Sequence, residues 1–284
     1  MKKKFALLLV LLMTFTVLFS GCGEEMGLAN SEVKIKVSDG KATVTELPNK
    51  TGISEITIPD EYEGAPVTEI ADYAGCNLEN AEKIIIGKNV EKIGTWAFEN
   101  NRNLKEFSVS SENKYFCSVD GVLFTKDMKE LLFYPPARKA EIFKIKNNEG
   151  KEEVVKRITY SVPEGVEKIR TKAFYKCENM YSLTLPSTLK FIEEKAFFKC
   201  TSMISVNIPE GVTSIDKDAF SCCSSLKTVT VPSTVTAIGD YAFYNCTSLL
   251  DVKMNCKKEN VTLGQKWQPT DNGIEIKEVK VVWE

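Results

Sequence analysis

Apolar and polar positions follow a 23-residue period between Ala173 and Met254. Each period opens with an Ala-Phe pair, carries a Cys four residues after the Ala, and continues into an alternating apolar segment that a Pro closes in three of the four periods. The repeat is A-F-x-x-C-x-x-L-x-x-V-x-I-P-x-x-V-x-x-I-x-x-x. Strict self-similarity at a period of this length is typical of a protein built from stacked repeats. The Ala-Phe pairs begin at Ala173, Ala196, Ala219 and Ala242.

Each repeat predicts one strand and one turning segment. The L-x-x-V-x-I part alternates with period two and is rich in β-branched residues, so it predicts a short strand with one face inward. The Pro that follows has no N–H for a ladder, so the strand ends there. The V-x-x-I and A-F-x-x-C parts have a period of three to four, which predicts short helical turns on the opposite wall. A unit of this size must stack on its neighbours to bury its apolar face.

This pattern, with its A-F-x-x-C and V-x-I-P blocks, resembles the BspA-like leucine-rich repeats of bacterial surface proteins, from about Ile53 to Met254. The resemblance implies a repeat solenoid: a right-handed leucine-rich-repeat superhelix with short parallel strands on one face, capped at both ends. It also implies a binding role, often as a surface adhesin. It transfers no catalytic residue.

The irregular segments predict the domain organisation. Residues 32–52 contain two alternating runs around Asp39-Gly40, the signal of a hairpin that caps the solenoid. The solenoid covers residues 53–256, with a β-hairpin insert at 110–150 that contains a meander with its own Asp-Gly turn, followed by a charged loop near 147–153. Residues 257–284 form a second cap. We expect Trp267 and Trp283 to seal the last coil; the alternative is that they belong to a surface site.

The amino terminus predicts export. Lys2 to Lys4 precede an uncharged apolar stretch too short for a membrane span, which is typical of a signal peptide. Its end, Leu18 to Cys22, looks like a lipobox, although Phe19 stands where Leu is usual. We therefore expect a lipoprotein signal peptide at residues 1–21, lipidation of Cys22, and a tether at 22–31. The alternative is an ordinary secreted protein that is cleaved nearby.

Charge and composition exclude several function classes. The chain has a net charge of −2, and loss of three lysines with the signal peptide would leave −5, so we expect no nucleic-acid partner. It contains no His, which removes Ser-His-Asp and Cys-His catalysis and the commonest transition-metal ligand. Phosphate-loop, dinucleotide and nucleophile-elbow motifs are also absent from the sequence. We expect no enzymatic activity and no cofactor.

Four cysteines share one position of the repeat, at Cys177, Cys200, Cys223 and Cys246. A ladder along the solenoid axis cannot converge as a tetrahedral metal site requires, so we expect no metal. Disulfides between neighbouring coils remain open, because the coil spacing of about 5 Å suits them and export permits oxidation. Cys also packs as a small buried apolar residue, and core thiols are the interpretation we favour.

The outward positions of the strands predict the binding face. Residues between inward apolar positions point outward, and here they are small and polar. We expect this face to recognise an extracellular or envelope protein or glycan, with the lipid on Cys22 holding the module at the membrane. One alternative is a structural scaffold lipoprotein of the cell envelope, and another is a solenoid glycan hydrolase, for which no catalytic motif is present. The candidate residues are Ser182, Thr184, Ser205, Asn207, Thr228, Thr230, Asp251 and Lys253.

Overall fold

The computed structural model describes residues 33–146, 149–268 and 280–283. It begins with an antiparallel hairpin of β1 (Lys34–Ser38) and β2 (Lys41–Glu46), joined by Asp39 and Gly40 in left-handed conformations. β2 pairs in parallel with the first strand of the solenoid's second sheet, so the hairpin covers the open end of the stack. Among the described residues, no helix has the length and hydropathy needed to cross a membrane.

The N-terminal block stacks two short parallel sheets. Its strands are β3 (Glu55–Thr57), β4 (Glu61–Tyr62), β5 (Ala65–Ile70), β6 (Lys83–Ile86), β7 (Lys92–Ile93) and β8 (Glu106–Val109). β3, β6 and β8 form one sheet, and β5 joins β2 and β7 in the other. The first coil has Gly75 where the next coil has Phe98, and a Cβ at Gly75 would lie 2.7 Å from the Cδ1 of Leu47. Leu47 of the cap thus fills the space of the missing ring.

A three-stranded antiparallel meander interrupts the repeats: β9 (Phe116–Val119), β10 (Val122–Thr125) and β11 (Glu130–Phe133). Val122, Leu123 and Phe124 are all buried, without the alternation of a half-exposed strand. Val122 and Phe124 pack in the core of the C-terminal block, whereas Leu123 packs in the core of the N-terminal block. The meander is therefore a partition with one core on each side.

The end of the meander forms a shortened coil of the solenoid. Leu131 pairs with Ile169 of the next coil, and Tyr134 N–H donates to the Ala173 carbonyl as Phe174 N–H donates to Ala196. Tyr134 also stacks on Phe174, with ring centroids 4.8 Å apart. Two residues separate Leu131 from Tyr134, whereas four separate Ile169 from Phe174. We call this segment the truncated coil (Glu130–Tyr134).

A second hairpin follows, formed by β12 (Glu141–Lys146) and β13 (Glu152–Ser161). The charged loop predicted near 147–153 is wrong for Glu152 and Glu153, because these residues begin β13. The outer half of the hairpin projects from the solenoid, with Ile142 and Val154 68% and 65% exposed. Only the end of β13, from Ile158, pairs with the repeat strands.

The strands of the C-terminal block are β14 (Lys168–Ile169), β15 (Met180–Thr184), β16 (Phe191–Ile192), β17 (Ser205–Asn207), β18 (Ser214–Ile215), β19 (Thr228–Val231), β20 (Ala237–Ile238), β21 (Asp251–Met254), β22 (Thr262–Leu263) and β23 (Lys280–Trp283), with a 3-10 helix (Lys258–Asn260) before β22. Along one side, β17, β19, β21 and β23 form one parallel sheet, and β15 pairs with β13 in the adjacent sheet. The two-residue strands β14, β16, β18, β20 and β22 form a continuous parallel sheet along the other side.

Stacked aromatic rings fill the core of this block. Phe174, Phe197, Phe220 and Phe243 follow one another with centroids 4.9 to 5.3 Å apart. Trp267 closes the row, 8% exposed and with its ring 6.5 Å from that of Phe243. Trp283 packs partly buried against Trp267. Both tryptophans thus seal the last coil, as predicted, rather than forming a surface site.

The predicted solenoid fold is confirmed, but the A-F-x-x-C wall is made of hydrogen-bonded turns and not of helical turns. Two residues per coil, the one before Ala and the one before Cys, have positive φ, for example 59° at both Lys172 and Lys199. This left-handed conformation is unfavourable for residues with a side chain. Here it aims both N–H groups at the next coil, where Lys172 donates to the Glu194 carbonyl at 3.0 Å. The resulting ladder of peptide groups offsets the local strain.

Candidate binding surface

The predicted face consists of two rows of side chains in register. Parallel pairing places Ser205 opposite Thr228 and then Asp251, and Asn207 opposite Thr230 and then Lys253. Inward neighbours such as Val206 and Val229 are buried. The alternation predicted from the sequence therefore occurs in these strands. Ser182 and Thr184 align with Thr159 and Ser161 of β13 and extend the rows toward the meander.

The rows are uncharged over most of their length. From Thr159 to Thr230 they contain only Ser, Thr and Asn, and the charges begin at Asp251 and Lys253. All the candidate residues are at least partly exposed. Because their backbone N–H and C=O groups are committed to the parallel ladder, the side chains alone present hydroxyl and amide groups to solvent. Such a surface can donate and accept hydrogen bonds without a charge preference.

A third row, which was not predicted from the sequence, lies beside these two. It lies one residue before the first polar row and consists of Tyr181, Ile204, Lys227 and Leu250. Leu250 is 43% exposed, and the Arg157 guanidinium lies over the Tyr181 ring at 3.9 Å. The signal was available, because this position follows the buried Met or Leu of each repeat and is apolar in three of four coils. This row gives the face an apolar margin that the projecting hairpin extends.

The equivalent face of the N-terminal block is chemically different. There β3, β6 and β8 place Glu55, Lys83 and Glu106 side by side, and Lys83 bridges both carboxylates at 3.5 and 3.2 Å. These two hydrogen-bonded carboxylates raise the pKa of Lys83. Two carboxylates against one ammonium leave this row charged, with one carboxylate in excess. The small uncharged rows therefore belong to the C-terminal block.

The four cysteines of the repeat are buried free thiols. Each thiol donates to a main-chain carbonyl of the preceding coil, for example Cys223 to Phe197 at 3.2 Å and Cys246 to Phe220 at 3.1 Å. Burial raises the pKa of every one of these thiols. The interpretation as core thiols is confirmed. Cys22, the predicted lipidation site, lies outside the described residues.

Comparisons with known proteins agree with the repeat geometry. The family model described as BspA type leucine rich repeat region matches residues 47–120 and 153–265 in six copies. A search of curated proteins found no match. Repeat families of this kind are typically non-enzymatic binding modules.

A solved structure shows the same fold at low identity. The pneumococcal vaccine antigen PcpA is 21% identical, with a TM-score of 0.62 over 79% of this chain. This chain spans 59% of the length of that PcpA structure. A leucine-rich repeat protein from Eubacterium ventriosum is 16% identical over 85% of this chain and 84% of its own, with a TM-score of 0.46. The family model covers well over half of the residues, and the chain belongs to the BspA-type leucine-rich repeat family.

Proposed function

We propose that this protein is a binding module displayed at the bacterial cell surface, which recognises a protein or glycan through the strand face of its C-terminal block. The observation that carries the proposal is the pair of uncharged polar rows from Thr159 to Thr230, held in register by the parallel pairings of β13 with β15 and of β17 with β19, and bordered by an apolar margin. Rigid rows of this kind suit an extended partner, because little side-chain freedom is lost on binding.

Two further points support the surface location. The predicted signal peptide ends in a lipobox at Cys22, which would tether the module by a lipid. PcpA, which shares the fold, is described as a vaccine antigen of pneumococcus. The proposed partner is uncharged where it meets the rows, since Ser, Thr and Asn offer hydrogen bonds and no net charge.

The test is capture by the purified chain on arrays of extracellular-matrix proteins and cell-wall glycans. A triple variant, Thr184→Arg, Asn207→Arg and Thr230→Arg, should lose capture while its circular dichroism and thermal unfolding stay unchanged. The control is Thr213→Arg with Thr236→Arg, which introduces Arg at exposed positions on the opposite side of the solenoid. This variant should bind normally. Unchanged capture by the triple variant would refute this face.

Location is tested separately by protease treatment of whole cells. A surface module should be removed by external protease. Protection from protease together with no capture on the arrays would favour the alternative of an envelope scaffold. Turnover of a glycan on the array by the purified protein would instead favour a hydrolase.

A further inference from the structure

A cavity with a volume of about 570 Å³ lies where the two blocks meet. One wall is formed by Gly94 to Ala97 of the N-terminal block, and the other by Arg170 to Lys172 of the C-terminal block. The floor is formed by the meander, including Leu132 and Phe133. The volume is within the range of known ligand pockets.

The truncated coil explains the cavity. In the complete coils on either side, four residues connect the two-residue strand to the aromatic residue, namely Gly94–Ala97 and Arg170–Ala173. The truncated coil has only Leu132 and Phe133 there. The residues that would complete this turn are missing. In a full coil they would lie between the wall residues of the two adjacent coils. The cavity is the space that this turn would occupy.

The missing turn also interrupts a ladder of peptide groups. In the complete coils, the peptide group before the first left-handed residue accepts from one neighbouring coil and donates to the other. The carbonyl of Glu194 accepts from Lys172 N–H at 3.0 Å, and the next N–H, of Lys195, donates to the Lys217 carbonyl at 3.0 Å. The ladder continues through Asp240 and Tyr241 to Gln265.

At the truncated coil one peptide group of this ladder is absent. On the N-terminal side, Tyr73 N–H donates to the Thr95 carbonyl at 3.1 Å, so the ladder reaches the Thr95–Trp96 peptide. Within the described segments, no backbone acceptor is present for Trp96 N–H and no backbone donor for the Thr171 carbonyl. One donor and one acceptor thus stand on opposite walls of the cavity.

The remaining lining favours an uncharged ligand with an apolar part. Lys172 reaches across to Glu99, with Nζ 2.7 Å from the carboxylate and 3.9 Å from the centre of the Trp96 ring. Arg170 is paired with Glu130 at 2.6 Å. These cations are neutralised by protein carboxylates, while Leu132, Phe133 and the partly exposed Trp96 offer apolar contact.

We propose that this cavity binds a short peptide segment of a partner protein, whose amide group completes the ladder between Trp96 and Thr171 and whose apolar side chain packs on Leu132 and Phe133. A secondary amide is the chemical group that accepts from one wall and donates to the other at once. The site is independent of the strand face and uses different residues.

The test uses a minimal amide probe, N-isobutylacetamide, added at millimolar concentration to the full chain labelled with ¹⁵N. Saturable shifts are expected at the backbone amides of Trp96, Phe98 and Lys172. Isobutyl acetate has the same shape but an ester in place of the amide, so it loses the donor to Thr171. We expect it to bind roughly five- to tenfold more weakly, as the loss of one hydrogen bond predicts.

Two variants control for location. Replacing Leu132-Phe133 with Arg-Thr-Lys-Ala restores a four-residue turn and should abolish the shifts by filling the ladder position. Leu132→Trp, which keeps the length of the coil and narrows the floor, serves the same purpose if the longer turn impairs folding. The strand-face triple variant should retain the shifts, so that failure of this site and failure of the proposed face are distinguished.

The proposal is overturned if the ester binds as well as the amide, or if the shifts persist in the folded graft and in Leu132→Trp. It is also overturned if chitotetraose perturbs these amides while the amide probe does not, which would assign the cavity to glycans. Absence of any shift at Trp96 up to the solubility limit of the probe would equally refute it.

Discussion

Lys172→Met tests whether the side chain of Lys172 holds the two blocks together. Lys172 and Glu99 are separated by 73 residues and by the meander, yet their ion pair measures 2.7 Å with side chains only 13% and 20% exposed. The same ammonium lies 3.9 Å from the centre of the Trp96 ring. This side chain therefore links the two walls of the cavity directly.

The expected destabilisation follows from burial. Loss of a hydrogen-bonded ion pair that leaves a largely buried carboxylate unpaired costs about 1.5–3 kcal/mol. The partly desolvated cation–π contact adds about 0.5–1 kcal/mol. Methionine keeps most of the apolar stem, so we expect the free energy of unfolding to fall by about 2–3 kcal/mol.

Urea denaturation followed by circular dichroism measures this change, with Lys105→Met as the matched control. Lys105 pairs with Glu82 at the same distance of 2.7 Å, but the two side chains are 52% and 46% exposed. An exposed pair contributes at most about 1 kcal/mol. If Lys172→Met and Lys105→Met lower the free energy of unfolding equally, the reasoning about the joint is refuted.

A double-mutant cycle with Glu99→Gln separates the ion pair from the rest. We expect a coupling energy between residues 172 and 99 of about 1–2 kcal/mol, since residues in direct contact are not additive. A coupling near zero would assign the effect to packing against Trp96 alone.

Three further predictions concern single positions. Glu167 accepts hydrogen bonds from Lys129 and Lys190, which lower the pKa of its carboxyl to about 2. The stability that this carboxylate contributes is fully present above its unfolded pKa of about 4.3 and is lost as the pH falls through about 2. In Lys129→Met, ¹³C NMR titration should show a higher pKa for Glu167. Lys199 has a φ of 59°. The free energy of unfolding of Lys199→Gly should therefore lie within about 1 kcal/mol of the wild-type value, whereas that of Lys199→Val should be lower by more than about 1 kcal/mol; thermal denaturation measures both. Iodoacetamide should modify the partly exposed Cys222 in the native protein and reach buried Cys223, whose pKa is raised by burial, only after unfolding; peptide mass mapping that finds native Cys223 alkylated would contradict the core-thiol assignment.

The repeat made much of the fold predictable. In a strict repeat each position of the period has one environment. From this follow the strand alternation at Val206 and Ile208, the buried row that contains Phe220, and the cysteine ladder. The two outward rows follow from the same alternation, so their residues are predictable from the sequence alone. The identity of the partner is not, because Ser, Thr and Asn donate and accept hydrogen bonds without selecting one class of ligand.

The turns and the insert were less predictable for physical reasons. Left-handed conformations at Lys172 and Lys199 carry no local signal, since Lys has no preference for positive φ and the conformation is imposed by hydrogen bonds to the next coil. The hairpin of β12 and β13 was not predicted, because its many charged residues obscure the apolar alternation that is typical of a strand. Tyr134 could not be recognised as a repeat aromatic, because the inserted meander and hairpin and the two missing residues together remove it from the 23-residue register.

The truncated coil also links fold to function. A complete coil satisfies its own peptide groups with its neighbours, so a regular solenoid offers a partner only its side chains. Where the coil loses two residues, Tyr134 continues the aromatic stack of the C-terminal block and Leu131 continues its sheet, while the turn between them is open. The interruption thus keeps the packing of the C-terminal core and exposes main-chain groups at one place. In this protein the regular repeats provide a rigid face. The truncated coil between them provides a concave site, where the Trp96 N–H and the Thr171 carbonyl match the acceptor and donor of a peptide group.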